Sequence, residues 1–169
     1  MSNTLILGGA RSGKSRRALA LAEKVSGRRV FLATAEALDD EMATRIARHK
    51  AERGAGWETV ESPLDLVEAL ETAATPDVVC VVDCLTLWLS NLMHRRRDVE
   101  RETARLCRAL NARPGSIILV SNEVGLGLVP ETELGRAFRD AQGRLNQAIA
   151  QDCDRVEFIA AGLPLTLKG

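Results

Sequence analysis

Eight consecutive residues near the start of the chain, Gly8, Gly9, Ala10, Arg11, Ser12, Gly13, Lys14 and Ser15, match the pattern G-x-x-x-x-G-K-[ST]. The apolar run Thr4 to Leu7 precedes them and a helical pattern follows at once, which is the strand, loop and helix context the pattern requires. Glycines let the backbone wrap closely round a phosphate, so that loop N–H groups and the following helix N-terminus point at the anion. Lys14 is then expected to reach the outer phosphates of GTP or ATP, and the Ser15 hydroxyl to ligate Mg²⁺. Magnesium among phosphates also wants a carboxylate. Asp83, closing the run Val78 to Val82, supplies one. The alternative for Asp83 is the N-cap of a helix starting near Leu85, and the two roles can coexist.

A second set of reactive residues centres on His49. Asp39, Asp40 and Glu41 make an acidic start suited to a helix N-terminus. Met42, Ile46 and His49 then fall at i, i+4 and i+7, which predicts His49 on the inward face. Arg45, Arg48, Lys50 and Arg53 crowd the same helix. Positive neighbours disfavour the imidazolium and keep a ring lone pair available for attack on phosphorus. On these residues alone two readings stand, a packed core histidine and a nucleophile. A third candidate group follows the run Ile117 to Val120, where Asn122 and Glu123 sit at the sheet edge at which open α/β folds hold ligands. Gly125 and Gly127 permit close approach or sharp turning before Pro130. Glu123 is either a group that positions or deprotonates a substrate hydroxyl or a structural loop carboxylate.

These residues need a scaffold, and the hydrophobic pattern supplies one. Thr4 to Leu7, Arg29 to Thr34, Val78 to Asp83, Ser116 to Ser121 and Val156 to Ala160 are apolar runs that barely alternate, as expected of strands buried on both faces of a parallel sheet. Between them Ala18, Leu21, Ala22 and Val25 fall at helical spacing, as do Val99, Leu106, Cys107 and Leu110, and Leu134, Phe138, Ala141, Leu145 and Ile149. Alternating strands and helices predict an α/β fold. Gly27 is expected to cap the first helix, and Pro114 and Gly115 to break the chain before the fourth of these strands. Ala161 and Gly162 split the final stretch, Val156 to Leu167, into a closing hairpin with one antiparallel strand.

Composition bounds the rest. At 169 residues the chain is expected to form one domain, residues 1–169. Lysine plus arginine and aspartate plus glutamate both number 23, and aromatics are 3 % with no tyrosine, so nucleic acid is not an expected partner. Cys80, Cys84, Cys107 and Cys153 form no C-x-x-C pair and are expected to be reduced, buried thiols rather than zinc ligands. The start lacks the pattern of a signal peptide and no run is long enough to span a bilayer, so a cytoplasmic location is expected. The basic run His94 to Arg97 is expected to be a solvated loop.

The segments GGARSGKS, FLATAEALDDEMATRIARHKAERGAGW, VVDCLTLWLSNLM, VSNEVGLGLVPETELGRAFRDAQGRLNQ and AGLPLTLKG together resemble the bifunctional adenosylcobinamide kinase / adenosylcobinamide-phosphate guanylyltransferase family of cobalamin biosynthesis. The resemblance spans nearly the whole chain. It implies a RecA-like P-loop NTPase fold, a mostly parallel sheet flanked by helices with a C-terminal antiparallel strand. It also implies two reactions: phosphorylation of the aminopropanol hydroxyl of adenosylcobinamide by a nucleoside triphosphate, then transfer of GMP from GTP to that phosphate. The family's covalent guanylyl-histidine matches His49, with Lys14 and Mg²⁺ steadying the leaving pyrophosphate. Ala33, Thr34 and Ala35 match the strand end along the nucleotide, and Lys50, Arg53 and Glu61 match guanine-nucleotide positions. Glu61 has a physical rationale as well, since one carboxylate accepts both N–H donors of a guanine edge; the alternative is an exposed strand-end carboxylate. The resemblance further implies a homo-oligomer, a trimer in the family. The chain departs from the family pattern at Arg48, where members carry a second histidine, at Gly54 and Gly56 near Trp57, and at Asp83, where some carry glutamate. The competing readings are a P-loop small-molecule kinase without nucleotidyl transfer and a non-catalytic GTP-binding protein.

Overall fold

A computed structural model describes residues 2–37, 40–54 and 56–169; the side chains of Glu41, Met42, Arg45, Arg48, His49 and Glu52 also lie outside the described set. Seven strands form one sheet. They are β1 (Asn3–Gly8), β2 (Arg28–Ala33), β3 (Trp57–Glu61), β4 (Val78–Asp83), β5 (Ser116–Val120), β6 (Arg155–Ala160) and β7 (Leu163–Lys168), in the spatial order β3-β2-β4-β5-β1-β6-β7. Every neighbouring pair is parallel except β6 and β7. One strand, β5, separates the phosphate-loop strand β1 from the acidic strand β4, which is the RecA-like order expected above.

The helices are α1 (Lys14–Ala22), α2 (Asp40–Arg53), α3 (Leu66–Ala73), α4 (Leu85–His94), α5 (Val99–Ala112) and α6 (Glu133–Asp152). Alternation along each strand divides the core in two. Leu5, Leu32, Cys80, Val82, Ile117 and Leu119 face α3, α4, α5 and α6, while Ile6, Phe31, Val79, Val81, Ile118 and Val120 face α1. Central strands with both faces covered explain why their sequences are near-continuous Val, Ile and Leu. Asp98 and Thr132 cap α5 and α6, accepting from the backbone N–H groups of Arg101 and Gly135.

Several expectations need correction. The first helix ends at Ala22, not beyond Val25, which is exposed. Gly27 caps no helix: it turns the chain into β2 at φ 127°, where a Cβ would lie 2.4 Å from the Asp77 carbonyl oxygen. Two elements, β3 and α3, lie outside the apolar runs and helical patterns set out above, although Glu61 is the exposed strand-end carboxylate given as its alternative reading. β3 is an edge strand of the mixed sequence WETVE, with only partial burial, and α3 is just eight residues long. Cys107 is half-buried, while Cys80, Cys84 and Cys153 are buried free thiols; burial pushes Cys80 and Cys153 up to about 12. The hairpin forms as expected on Ala161 and Gly162, whose φ values of 51° and 82° suit a tight two-residue turn. The basic run closes α4 and its exposed turn, with Arg97 reaching Glu102 at 3.1 Å. Among the described residues no helix is long and apolar enough to cross a membrane.

Candidate nucleotide site

The phosphate loop leaves the end of β1 at Gly8, whose φ is 151°. A Cβ there would meet the Ile159 carbonyl oxygen at 2.5 Å and Ser12 Oγ at 2.9 Å, so only glycine lets the loop pass this close to β6. Gly13, at φ 101°, is the N-cap of α1 and contributes no capping side chain, which leaves the helix's first N–H groups facing the loop. Lys14 is buried and its ammonium donates to the Gly9 carbonyl at 2.5 Å, folded back across the loop. The Ser12 carbonyl accepts the Gly162 N–H at 3.0 Å, so the turn between β6 and β7 braces the loop from behind. Arg17, one turn into α1, makes two 2.8 Å bonds to Glu157 on β6, and Arg155 adds a third at 2.9 Å. Glu157 is fully buried, and its carboxyl is held below the usual range, chiefly by the Arg17 hydrogen bond.

Strand register lines up the opposite wall. Glu61, Ala33, Asp83, Val120 and Ile6 are successive partners across β3, β2, β4, β5 and β1. At about 4.8 Å per strand this row spans roughly 19 Å, from the phosphate loop to the outer edge. Asp83 continues the alternation of Val79 and Val81, so it projects on the α1 side, as the loop does. The helix after it is capped at Cys84, not at Asp83, and the Cys84 side chain makes no capping bond. Cys84 is pushed up to about 11, first by burial and then by the Asp83 charge, with Lys14 opposing. The two charged groups therefore share one neighbourhood.

Thr34 differs from expectation in what its side chain touches. It is fully buried, and its hydroxyl donates to the Cys84 carbonyl at 2.7 Å while accepting the Cys84 N–H at 2.8 Å. Its own carbonyl accepts from Asn91 Nδ2 at 2.8 Å, and the same amide reaches the Pro63 carbonyl at 2.9 Å. The hydroxyl thus fixes the backbone next to Asp83, and Asn91 ties together the ends of β2 and β3. Ala33 and Ala35 are half-buried on either side.

Arg53 ends α2 with its guanidinium 3.7 Å above the Phe31 ring, against which Trp57 packs edge-on at 6.3 Å. Its Nη2 donates to Thr59 Oγ1 at 3.3 Å. Burial pulls its pKa down and the nearby Asp83 charge opposes that. Lys50 and Glu61 are exposed. The structure therefore brings the loop, Asp83 and Arg53 to one side, with Glu61 at the far end of the row. Of the inward face expected for Met42, Ile46 and His49, Ile46 is half-buried; the side chains of Met42, Arg45, Arg48 and His49, like residues 38 and 39, lie outside the described residues.

Sequence reasoning missed the mount behind Asn122 and Glu123. Ser121 Oγ donates to Asn146 Oδ1 at 2.7 Å, Gln142 Nε2 donates to both at 3.0 Å, and Asn146 Nδ2 donates to the Asn122 carbonyl at 3.1 Å. The available signal was two amides, Gln142 and Asn146, set four apart beside the apolar stripe of α6. Glu123 Oε1 accepts the Gly125 N–H at 2.6 Å, which turns the loop back on itself.

Residues 4–167 match the family model described as cobinamide kinase / cobinamide phosphate guanyltransferase. The chain is 53 % identical over 169 residues to the bifunctional adenosylcobalamin biosynthesis protein CobP of Pseudomonas aeruginosa, covering 98 % of this chain and 96 % of that protein. It is 37 % identical over 182 residues to the bifunctional adenosylcobalamin biosynthesis protein CobU of Salmonella typhimurium, covering 97 % and 98 %. Among solved structures, the RadB recombinase superposes with a TM-score of 0.55 at 14 % identity, over 93 % of this chain and 73 % of that one. The P4 protein of bacteriophage phi6 in complex with ADP superposes at 0.50 and 15 % identity, over 96 % and 52 %. These two share the fold alone. The family match spans strand β1 through strand β7, and on it the chain belongs to the cobinamide kinase / cobinamide phosphate guanyltransferase family.

Proposed function

We propose that this chain, working as a single catalytic domain, phosphorylates adenosylcobinamide with ATP or GTP and then converts the product to adenosylcobinamide-GDP with GTP. The observation that carries the reading is the family match over residues 4–167, which embraces an intact phosphate loop and the row of residues opposite it. In the first step the substrate hydroxyl oxygen attacks the γ-phosphorus and the nucleoside diphosphate leaves. The loop amides and Lys14 hold the phosphates and offset the charge spread over them. In the second step a neutral His49 nitrogen attacks the α-phosphorus of GTP, pyrophosphate leaves, and GMP remains on the ring as a phosphoramidate. A phosphate oxygen of adenosylcobinamide phosphate then attacks that phosphorus and frees the histidine.

Ser15 and Asp83 are the residues that would hold Mg²⁺. One hydroxyl and one carboxylate on the same face suit an ion that keeps several waters and takes its other ligands from phosphate. When bound, the ion neutralises charge on the phosphate oxygens. Gly8 to Lys14 bind the phosphates, Ala33 to Ala35 line the strand end, and Arg53 and Lys50 add positive charge. Glu61 receives the guanine edge at the outer end of the row. The exposed β7 residues Leu163, Leu165 and Leu167, on an otherwise unpaired sheet edge, support a homo-oligomer, a trimer by family likeness. Its nucleoside triphosphate substrates suit a cytoplasmic location.

The test is incubation with GTP labelled at the α-phosphate, followed by denaturation. Wild type is expected to keep an acid-labile, base-stable GMP adduct that His49→Ala lacks. A wild type without adduct that still phosphorylates adenosylcobinamide would reduce the protein to a small-molecule kinase.

A further inference from the structure

Beyond β5 the chain crosses the sheet edge that carries the phosphate loop. The Glu123 N–H donates to the Gly8 carbonyl at 3.0 Å, so residues 124–130 start level with the first glycine of that loop. They lead into α6, which packs on the face of the sheet opposite α1. The stretch therefore leaves the α1 side, where Asp83 stands, and passes over the rim beside the phosphates.

Both ends of this stretch are pinned. Glu123 Oε1 accepts the Gly125 N–H at 2.6 Å. At the far end Arg136 Nη1 donates to the Pro130 and Glu131 carbonyls at 3.1 and 2.7 Å, and Pro130 sits so close to α6 that a Cβ on Gly135 would lie 2.8 Å from its ring. The middle is held outward: Leu126 is 82 %, Leu128 96 % and Val129 63 % exposed. Residues 124–130 carry no ionisable side chain. Along the apolar stripe of α6, Ile149, Leu145 and Ala141 are buried, Phe138 is half-buried, and Leu134, next to the Pro130 contact, is 64 % exposed. The stripe thus opens towards the same rim. Single exposed leucines are ordinary, but four large apolar side chains gathered on one pinned rim mark a surface that something covers.

We infer that Leu126, Leu128, Val129 and Leu134 seat the corrin macrocycle, the apolar body of the acceptor in both reactions. The inference rests on the proposed function and deepens it by naming residues that bind the acceptor. Adenosylcobinamide carries its hydroxyl on a short arm, so when that oxygen meets the terminal phosphate the macrocycle rests on the neighbouring rim. Leu126 and Leu128 follow Glu123 by three and five residues, which keeps them within about 11 and 18 Å of it. A ring faced with methyl groups and edged with neutral amides buries against leucines and asks for no charged partner. A nucleotide would ask for one. The other apolar occupant is a second copy of the chain, for which the unpaired edge of β7 is the better matched surface, because a strand edge adds backbone hydrogen bonds to apolar contact.

Steady-state phosphorylation of adenosylcobinamide by ATP, with no GTP present, tests it. Leu128→Ser is expected to raise KM for adenosylcobinamide about tenfold, and Leu126→Ser combined with Leu128→Ser about fiftyfold, while KM for ATP stays within about twofold. Leu128→Met restores apolar bulk and should stay within about threefold of wild type. Equilibrium dialysis of adenosylcobinamide with ADP and Mg²⁺, where no phosphate can be transferred, should rank the variants in the same order. A double variant whose KM for adenosylcobinamide is unchanged, or rises no more than its KM for ATP, would overturn the inference. So would a double variant that sediments as a smaller species than wild type, since a second copy would then be what covers the rim. A wild type that binds adenosylcobinamide in dialysis but leaves it unphosphorylated would instead refute the proposed function, and the dialysis series would still decide the role of the leucines. A wild type that does not bind it at all would remove both.

Discussion

Replacing Thr34 by valine removes one oxygen atom and keeps the side-chain shape. That oxygen serves both the N–H and the carbonyl of Cys84, at 2.8 and 2.7 Å, in a fully buried place that water does not reach. The Cys84 carbonyl keeps the Trp88 N–H at 3.2 Å, so only the Cys84 N–H loses its partner, at about 1–3 kcal/mol, and the lost bond to the carbonyl adds about 1 kcal/mol, together roughly 2–4 kcal/mol. With a urea dependence of about 2 kcal/mol per molar, a mid-range loss of ~3 kcal/mol lowers the unfolding midpoint by roughly 1.5 M. Thr34→Ser keeps the hydroxyl and loses one methyl group, which predicts a deficit of only about 1 kcal/mol. Function should follow the same order, because the affected backbone carries Asp83. In the variants that remain folded, the Mg²⁺ concentration needed for half-maximal GTP binding should rise strongly for valine and little for serine. Urea unfolding and calorimetry at varied Mg²⁺ measure the two effects. If valine matched wild type in both, the clamp would be an incidental contact.

Two other outcomes follow from the same geometry. Gly8→Ala puts a Cβ 2.5 Å from a backbone oxygen of β6 in a loop that cannot yield without moving Ser12, and is expected to abolish measurable GTP binding in an equilibrium titration. Glu157→Gln tests the buried ion pair through pH. The folded-state pKa of Glu157 is depressed, so its ionised form contributes stability above the unfolded carboxylate pKa of about 4.3, lost as pH falls towards the folded value. The melting temperature of wild type should exceed that of Glu157→Gln by a constant margin from about pH 5 to 7, and the margin should shrink below about pH 4.

The phosphate loop was legible because its chemistry is local: eight adjacent residues fix their own backbone path, and neighbouring strand and helix patterns identify the context. Asp83 was legible for a related reason, as a single carboxylate ending an unbroken apolar strand. Thr34 was assigned a nucleotide contact, and its main partner is a backbone 50 residues away that no spacing rule connects to it. Gln142 and Asn146 are not singled out by the apolar spacing of α6, and Ser121 and the Asn122 carbonyl become their partners only through the packing of α6 on β5. The omitted strand β3 lies at the sheet edge, where one neighbour suffices and the apolar signal is weak. The first helix was overextended because Val25 continues its apolar spacing after the backbone has already left the helix.

The turn at Ala161 and Gly162 has a practical meaning for anyone engineering this molecule. A single amide joins it to the peptide that curls under the nucleotide's anionic tail, so lengthening that hairpin, or trimming away its outer strand, removes a prop from a ligand cradle built almost entirely by the opposite terminus. Affinity tags and fusions are better attached before Asn3, which leaves the far rim of the sheet, than after Lys168, whose ammonium secures the carbonyls at the end of α6.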